Sequence, residues 1–194
     1  MKTLNNWQLH KLRQILFNQP YKVEMSLTEW RGTLFEQYKL YVEMADKISE
    51  RRNTANSFFL TANTLLITIF GGLVAFRSES EGNRPFPIVQ LREDPILGFV
   101  AIGAALAGVA LCVTWYSLII RYRNLNQQKF AVIQELEQHL PAKPYLAEEN
   151  VPVEGNTGLT KAERYIPIVF GFLYGAIIIS LLTIYISGLI PIKR

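Results

Sequence analysis

Few residues in this chain have the type and spacing that chemistry demands. Cys112 is the single cysteine among 194 residues, which excludes an intramolecular disulfide and any multi-cysteine metal knot. It stands in an uncharged stretch without the neighbouring base that a nucleophile needs, and reads as a core thiol. The two histidines, His10 and His139, are far apart with no acidic cluster at ligand spacing around them. His139, near a helix end, reads as a surface residue rather than a pH switch. The carboxylate pairs Glu135/Glu137 and Glu148/Glu149 are expected on solvated segments, where such pairs serve solubility. Dinucleotide, P-loop, zinc-protease and nucleophile-elbow signatures are absent, and GNTGLTK (155–161) has the wrong spacing for a phosphate loop. The expectation is no catalytic residue, no cofactor and no metal site.

Polar groups of another kind are more telling. Ser57, Thr61, Thr64 and Thr68, followed by Gly71 or Gly72 and Ala75, recur at steps of four and three, which places them on one helix face. Asn63 lies beside that face. An amide left unpartnered in hydrocarbon is destabilising by several kcal/mol, so Asn63 must face protein or water. Two uses fit. Small residues let helices approach closely, and each hydroxyl bond between them adds about 0.6–2 kcal/mol. The same face turned towards the axis of an oligomer would line a wet pore. Helix contact is the preferred use and the pore its alternative. Small residues recur again at Gly98, Ala101, Ala105, Gly108 and Cys112, and as the Gly171–Gly175 pair. Three helices cannot absorb all that contact surface among themselves, which predicts self-association.

The elements that must position these residues are three uncharged blocks, 57–76, 95–120 and 166–189. A helix rises about 1.5 Å per residue, so roughly 20 residues cross a hydrocarbon core of about 30 Å. Hydrophobic residues make up 49% of the chain and charged ones only 19%, against about 25% charge in a soluble domain. Asp94-Pro95 and the Thr160/Glu163 pair have the form of helix starts before the second and third spans. Trp115, Tyr116, Tyr122 and Tyr165 are placed near span boundaries, where amphipathic rings settle. None of the spans contains Asp, Glu, Lys, Arg or His, which counts against proton relays and ion-coupled carriers.

Fifteen of the twenty Lys and Arg fall in 1–56 and 121–164, so that side is expected in the cytoplasm. The net charge of +4 then reflects topology rather than a nucleic-acid footprint, and the N-terminus lacks the form of a signal peptide. Segment 77–94 would be an outside loop and 190–194 an outside tail. On the cytoplasmic side, Thr33 and Glu36 predict a helix over 33–56 with a seam of Leu34, Tyr38, Tyr41, Ala45 and Ile48. A second helix over 121–140 would extend the second span and pack on that seam, with 141–165 as a linker. Segment 1–32 is expected to hold a short helix with Leu9, Leu12 and Leu16 on one side, lying on the inner leaflet or docked on the other helices. The fold class is therefore all-α integral membrane, with three transmembrane helices and cytoplasmic helical extensions of the first two.

Three stretches carry a family likeness: YVEMADKISERRNTANSFFLTANT (41–64), WYSLIIRYRNLNQQKFAVIQELEQHLPAKPY (115–145) and LTKAERYIPIVF (159–170). Together the sequence over about 40–190 resembles the RipA-type family of small octameric bacterial membrane proteins. The first forty residues lie outside the likeness. It implies an inner-membrane homo-octamer with much of its mass in the cytoplasm, and it supplies no catalytic residue. By the same likeness Asp46, Arg51, Arg52, Asn53, Asn56, Arg121 and Arg123 mark where the chain enters the membrane. Of these, Arg51, Arg52, Arg121 and Arg123 are basic residues at the lipid boundary, where they would meet lipid phosphates, ring an oligomer axis as an anion-attracting mouth, or pair internally as Arg121–Glu50 or Arg123–Asp46.

The function expected from the sequence is a non-enzymatic homo-oligomeric scaffold of the bacterial inner membrane. Its partners would be the bilayer and further copies of itself, with no nucleic acid. The alternatives are a passive channel or membrane-perturbing effector lined by Ser57, Thr61, Asn63, Thr64 and Thr68, and a membrane-anchored module whose Tyr38, Tyr41, Ile48 seam holds an unidentified protein partner.

Overall fold

The structure is a computed structural model that describes residues 5–17, 26–80, 95–151 and 159–189. The described residues form five helices and no strand: α1 (Asn6–Leu16), α2 (Leu27–Ser80), α3 (Pro95–Glu137), α4 (Pro144–Asn150) and α5 (Leu159–Leu189). Most of the expected outside loop, the tail 190–194 and residues 155–158 lie outside the described residues. Two compact units divide the chain, one from 1–52 with 121–156 and the other from 53–120 with 157–194. Both long helices, α2 and α3, contribute to each.

In the first, polar unit α2 begins six residues before the expected start at 33. The capping box is Ser26/Glu29 rather than Thr33/Glu36: the Ser26 N–H donates to Glu29 Oε2 at 2.9 Å, and the Glu29 N–H to Ser26 Oγ at 3.3 Å. Thr33 sits inside the helix, where its hydroxyl donates to the Glu29 carbonyl. The seam forms as the spacing requires, with Leu34, Ala45 and Ile48 buried and Tyr38 and Tyr41 half-buried. It meets the last turns of α3, where Ile133 and Leu136 are buried. Met44 lies opposite Lys129, and Ser49 opposite Asn126, so the two helices run antiparallel. α1 is docked here through Arg13 and Glu135, 2.6 Å apart, and through Phe17 against the His139 ring. α3 stops at Glu137, three residues short of Leu140. The expected linker contains α4, opened by Pro144 at its first turn.

The second, apolar unit contains the parts of α2, α3 and α5 that are long and apolar enough to cross a membrane. Its core stacks in three clusters along the helices: Ala101 with Leu181, then Ala105, Cys112 and Tyr174, then Phe59, Trp115 and Ile119. Pro95 opens α3, as the Asp94-Pro95 pair suggested, but α5 starts at Leu159 rather than 166. Thr160 is therefore inside the helix. Pro167 is buried within α5 without breaking it. The outward surface is apolar. Phe58, Ile69, Phe99, Val113, Val169, Phe172 and Ile179 are each more than half exposed, a surface that water does not tolerate and lipid does.

Candidate functional site

The hydroxyl face of α2 points away from the protomer. Ser57, Thr61, Thr64, Thr68, Gly71 and Gly72 are all exposed, flanked by exposed Leu60, Leu65 and Ile69. The hydroxyls of Thr64 and Thr68 are turned back on their own helix, donating to the carbonyls of Leu60 (2.8 Å) and Thr64 (2.9 Å). Their single donors are thereby satisfied without water. Asn63 does not belong to this face. It is completely buried inside the apolar unit, so it neither lines a pore nor meets another copy. The physical reason is its position about a third of a turn from the threonines, on the side of α2 that packs against α3 and α5.

There Asn63 is the hub of a polar cluster. Its Nδ2 donates to the Phe59 carbonyl at 2.8 Å, and its Oδ1 accepts from Cys112 Sγ at 3.5 Å. Its own carbonyl accepts from Tyr174 Oη at 3.3 Å. One turn away Trp115 Nε1 donates to Asn56 Oδ1 at 2.9 Å, with its ring stacked on Phe59 at 5.9 Å. Trp115, expected at a boundary, is turned into the bundle with only 2% of its surface exposed. Each amide meets an indole, a thiol or a backbone group inside the bundle. The Asn56 and Asn63 spacing of seven, shared with Phe59, was the sequence signal for it.

The small residues divide by face. Gly98, Ala101, Ala105, Gly108 and Cys112 are buried and pack α3 within its own protomer. Gly108 is required there, because a Cβ at that position would fall on the Tyr174 ring. Gly171 and Gly175 are half-buried, Gly171 beside the Cβ of Cys112 and Gly175 with open space around it.

The polar unit corrects the view of Glu135 and Glu137 as solvated carboxylates. Both are buried. Glu137 accepts from Tyr38 Oη at 3.0 Å and from the N–H groups of Tyr145 (3.0 Å) and Leu146 (3.1 Å). A carboxylate from the end of α3 thus caps the first turn of α4, where orphan donors and the helix dipole both favour negative charge. Burial, together with the Glu137 bond and charge, pushes the Tyr38 phenol up to about 12. Burial also raises Tyr145, helped by Asp46, Glu148 and Glu137. His139, although exposed, carries Phe17 and Trp30 edge-on at 4.6 and 6.1 Å. At the other end of this unit, Arg51, Arg121 and Arg123 are exposed and Arg52 is half-buried. Continuing the antiparallel step from Ser49 opposite Asn126 brings Arg51 level with Arg123. Among the described residues no three His, Cys, Asp or Glu are grouped to hold a metal.

The arrangement is that of a helix bundle packed around a polar cluster, with an apolar outward surface that carries the hydroxyl face of α2. No curated protein and no solved structure matches the chain. A family model does match, over residues 35–183, the same region that carries the likeness seen in the sequence. It begins after α1 and Trp30, and it takes in the hydroxyl face, the Asn63 cluster and Glu137. The chain belongs to the Octameric membrane protein family (8xMP).

Proposed function

We propose that this protein is a non-enzymatic scaffold of the bacterial inner membrane that assembles as a homo-octamer, with its N-terminus and polar unit in the cytoplasm. The observation that carries the assembly role is the outward face of Ser57, Thr61, Thr64 and Thr68, small and with the Thr64 and Thr68 donors already spent on the helix backbone. A face whose Thr64 and Thr68 donors need no water suits close helix contact in lipid. The family's octameric character supports several copies, and the distribution of Lys and Arg supports the orientation. Mass measurement of the full chain in nanodiscs tests it. The wild type is expected as an octamer, and Thr61→Leu with Thr64→Leu should shift it to smaller species. A wild-type monomer would refute the scaffold.

A passive channel is the second reading, favoured by the exposure of Ser57 and Thr61 on the same face. Single-channel recording separates the two. A pore would show conductance that Thr61→Leu reduces while the octamer persists, whereas the scaffold shows none at any voltage.

A further inference from the structure

The apolar unit has an open groove of about 260 Å³ between α3 and α5, with Val109, Cys112, Val113, Tyr116 and Ser117 on one wall and Pro167, Ile168 and Gly171 on the other. The walls run antiparallel, since Gly171 stands by Cys112 and Tyr174 by Gly108. From Val109 to Ser117 the α3 wall is about 12 Å long. Ser117 adds little polarity, because its hydroxyl donates to the Val113 carbonyl at 2.8 Å.

Near the Pro167 end stands Arg164. Arg164 precedes Pro167 and Ile168 by three and four residues and Gly171 by seven, and so shares their face of α5. It lies in the first turn of the membrane-crossing stretch 163–186, the level of the headgroups, beside exposed Tyr165. Its Nε is shielded from solvent and has no hydrogen-bond partner among the described residues. Glu163, its neighbour, makes contacts of its own. A positive charge one turn beyond Pro167, on the helix face that forms one wall of a narrow apolar trough, matches an amphiphile with an anionic head and a hydrocarbon tail.

We infer that the α3–α5 groove is a phospholipid site that takes one acyl chain of an anionic phospholipid, with Arg164 holding the phosphate. The inference requires only the membrane setting and not the scaffold role. Gly171 is the place for a test, because it lines the groove and a Cβ there meets nothing closer than the Cβ of Cys112 at 4.0 Å.

Purified full-length protein is titrated in detergent with phosphatidylglycerol, and bound lipid is counted by native mass spectrometry. Wild type retains the lipid. Arg164→Gln weakens binding about tenfold or more, the size of a lost charge-assisted hydrogen bond, and Arg164→Lys recovers part of it. Gly171→Leu removes binding while the octamer mass stays unchanged. Equal binding by wild type and Arg164→Gln overturns the phosphate contact. Should Arg164→Gln not fold, Gly171→Leu decides alone: undiminished lipid overturns the groove. Loss of the octamer in Gly171→Leu overturns the proposal in favour of a contact between copies.

Discussion

Single residues decide the stability of each unit through buried polar contacts. Glu137→Leu would strand the Tyr38 hydroxyl and two α4 N–H groups. Each stranded group is destabilising by about 1–3 kcal/mol, so thermal melting should fall steeply and α4 should become open to proteolysis at Lys143. Glu137→Gln keeps an acceptor and should lose less. The raised Tyr38 phenol gives a pH signature. Its neutral form is favoured in the fold, so that stabilisation is complete below pH 10 and declines as pH rises towards about 12. Circular dichroism melts between these values should show the decline, and Tyr38→Phe should abolish that component. In the apolar unit, Gly108→Ala should be destabilising by about 1–3 kcal/mol, as overpacking generally is, because the Tyr174 ring must leave its place. A second change of Tyr174→Leu should restore part of the loss in a detergent unfolding assay. None of these partnerships was legible in the sequence. Glu137 reads as one acid among many until the chain reverses after α3, and Gly108 reads as one small residue in a row of five.

At the scale of elements, hydrophobic periodicity and charge-free length carried most of the information. The Leu34 to Ile48 seam is buried as its spacing requires, and three apolar blocks lie in three helices suited to a membrane. Boundaries were less legible. Two Ser/Thr-x-x-Glu patterns lie seven residues apart, Ser26/Glu29 and Thr33/Glu36, and local sequence does not choose between them. The structure chooses the first, whose carboxylate is held below its usual range by the Ser26 N–H and hydroxyl. Ser26→Ala should therefore weaken the start of α2 by about 0.5–2 kcal/mol, seen as faster amide exchange over its first turns, while Thr33→Ala leaves them unchanged. The α4 helix is not legible because seven residues are too few to hold a helix on their own, and its cap comes from a side chain outside it.

For the molecule as a whole, the proposed orientation rests on where its cations lie, and a labelling experiment can check it. A cysteine placed at exposed Lys47 should react with a membrane-impermeant maleimide only in inverted vesicles, and reaction in intact cells would reverse the topology. Buried Cys112 gives little background, being 4% exposed. The threonines of α2 carry a further implication for symmetry. With their protons committed to Leu60 and Thr64, the hydroxyls of Thr64 and Thr68 are left only to accept. Two such surfaces meeting head-on would set oxygen against oxygen with no hydrogen between them. A twofold handshake that sets these two threonines against themselves is disfavoured, and a directional ring, in which each copy offers them to a different side of the next, is the closure their chemistry prefers.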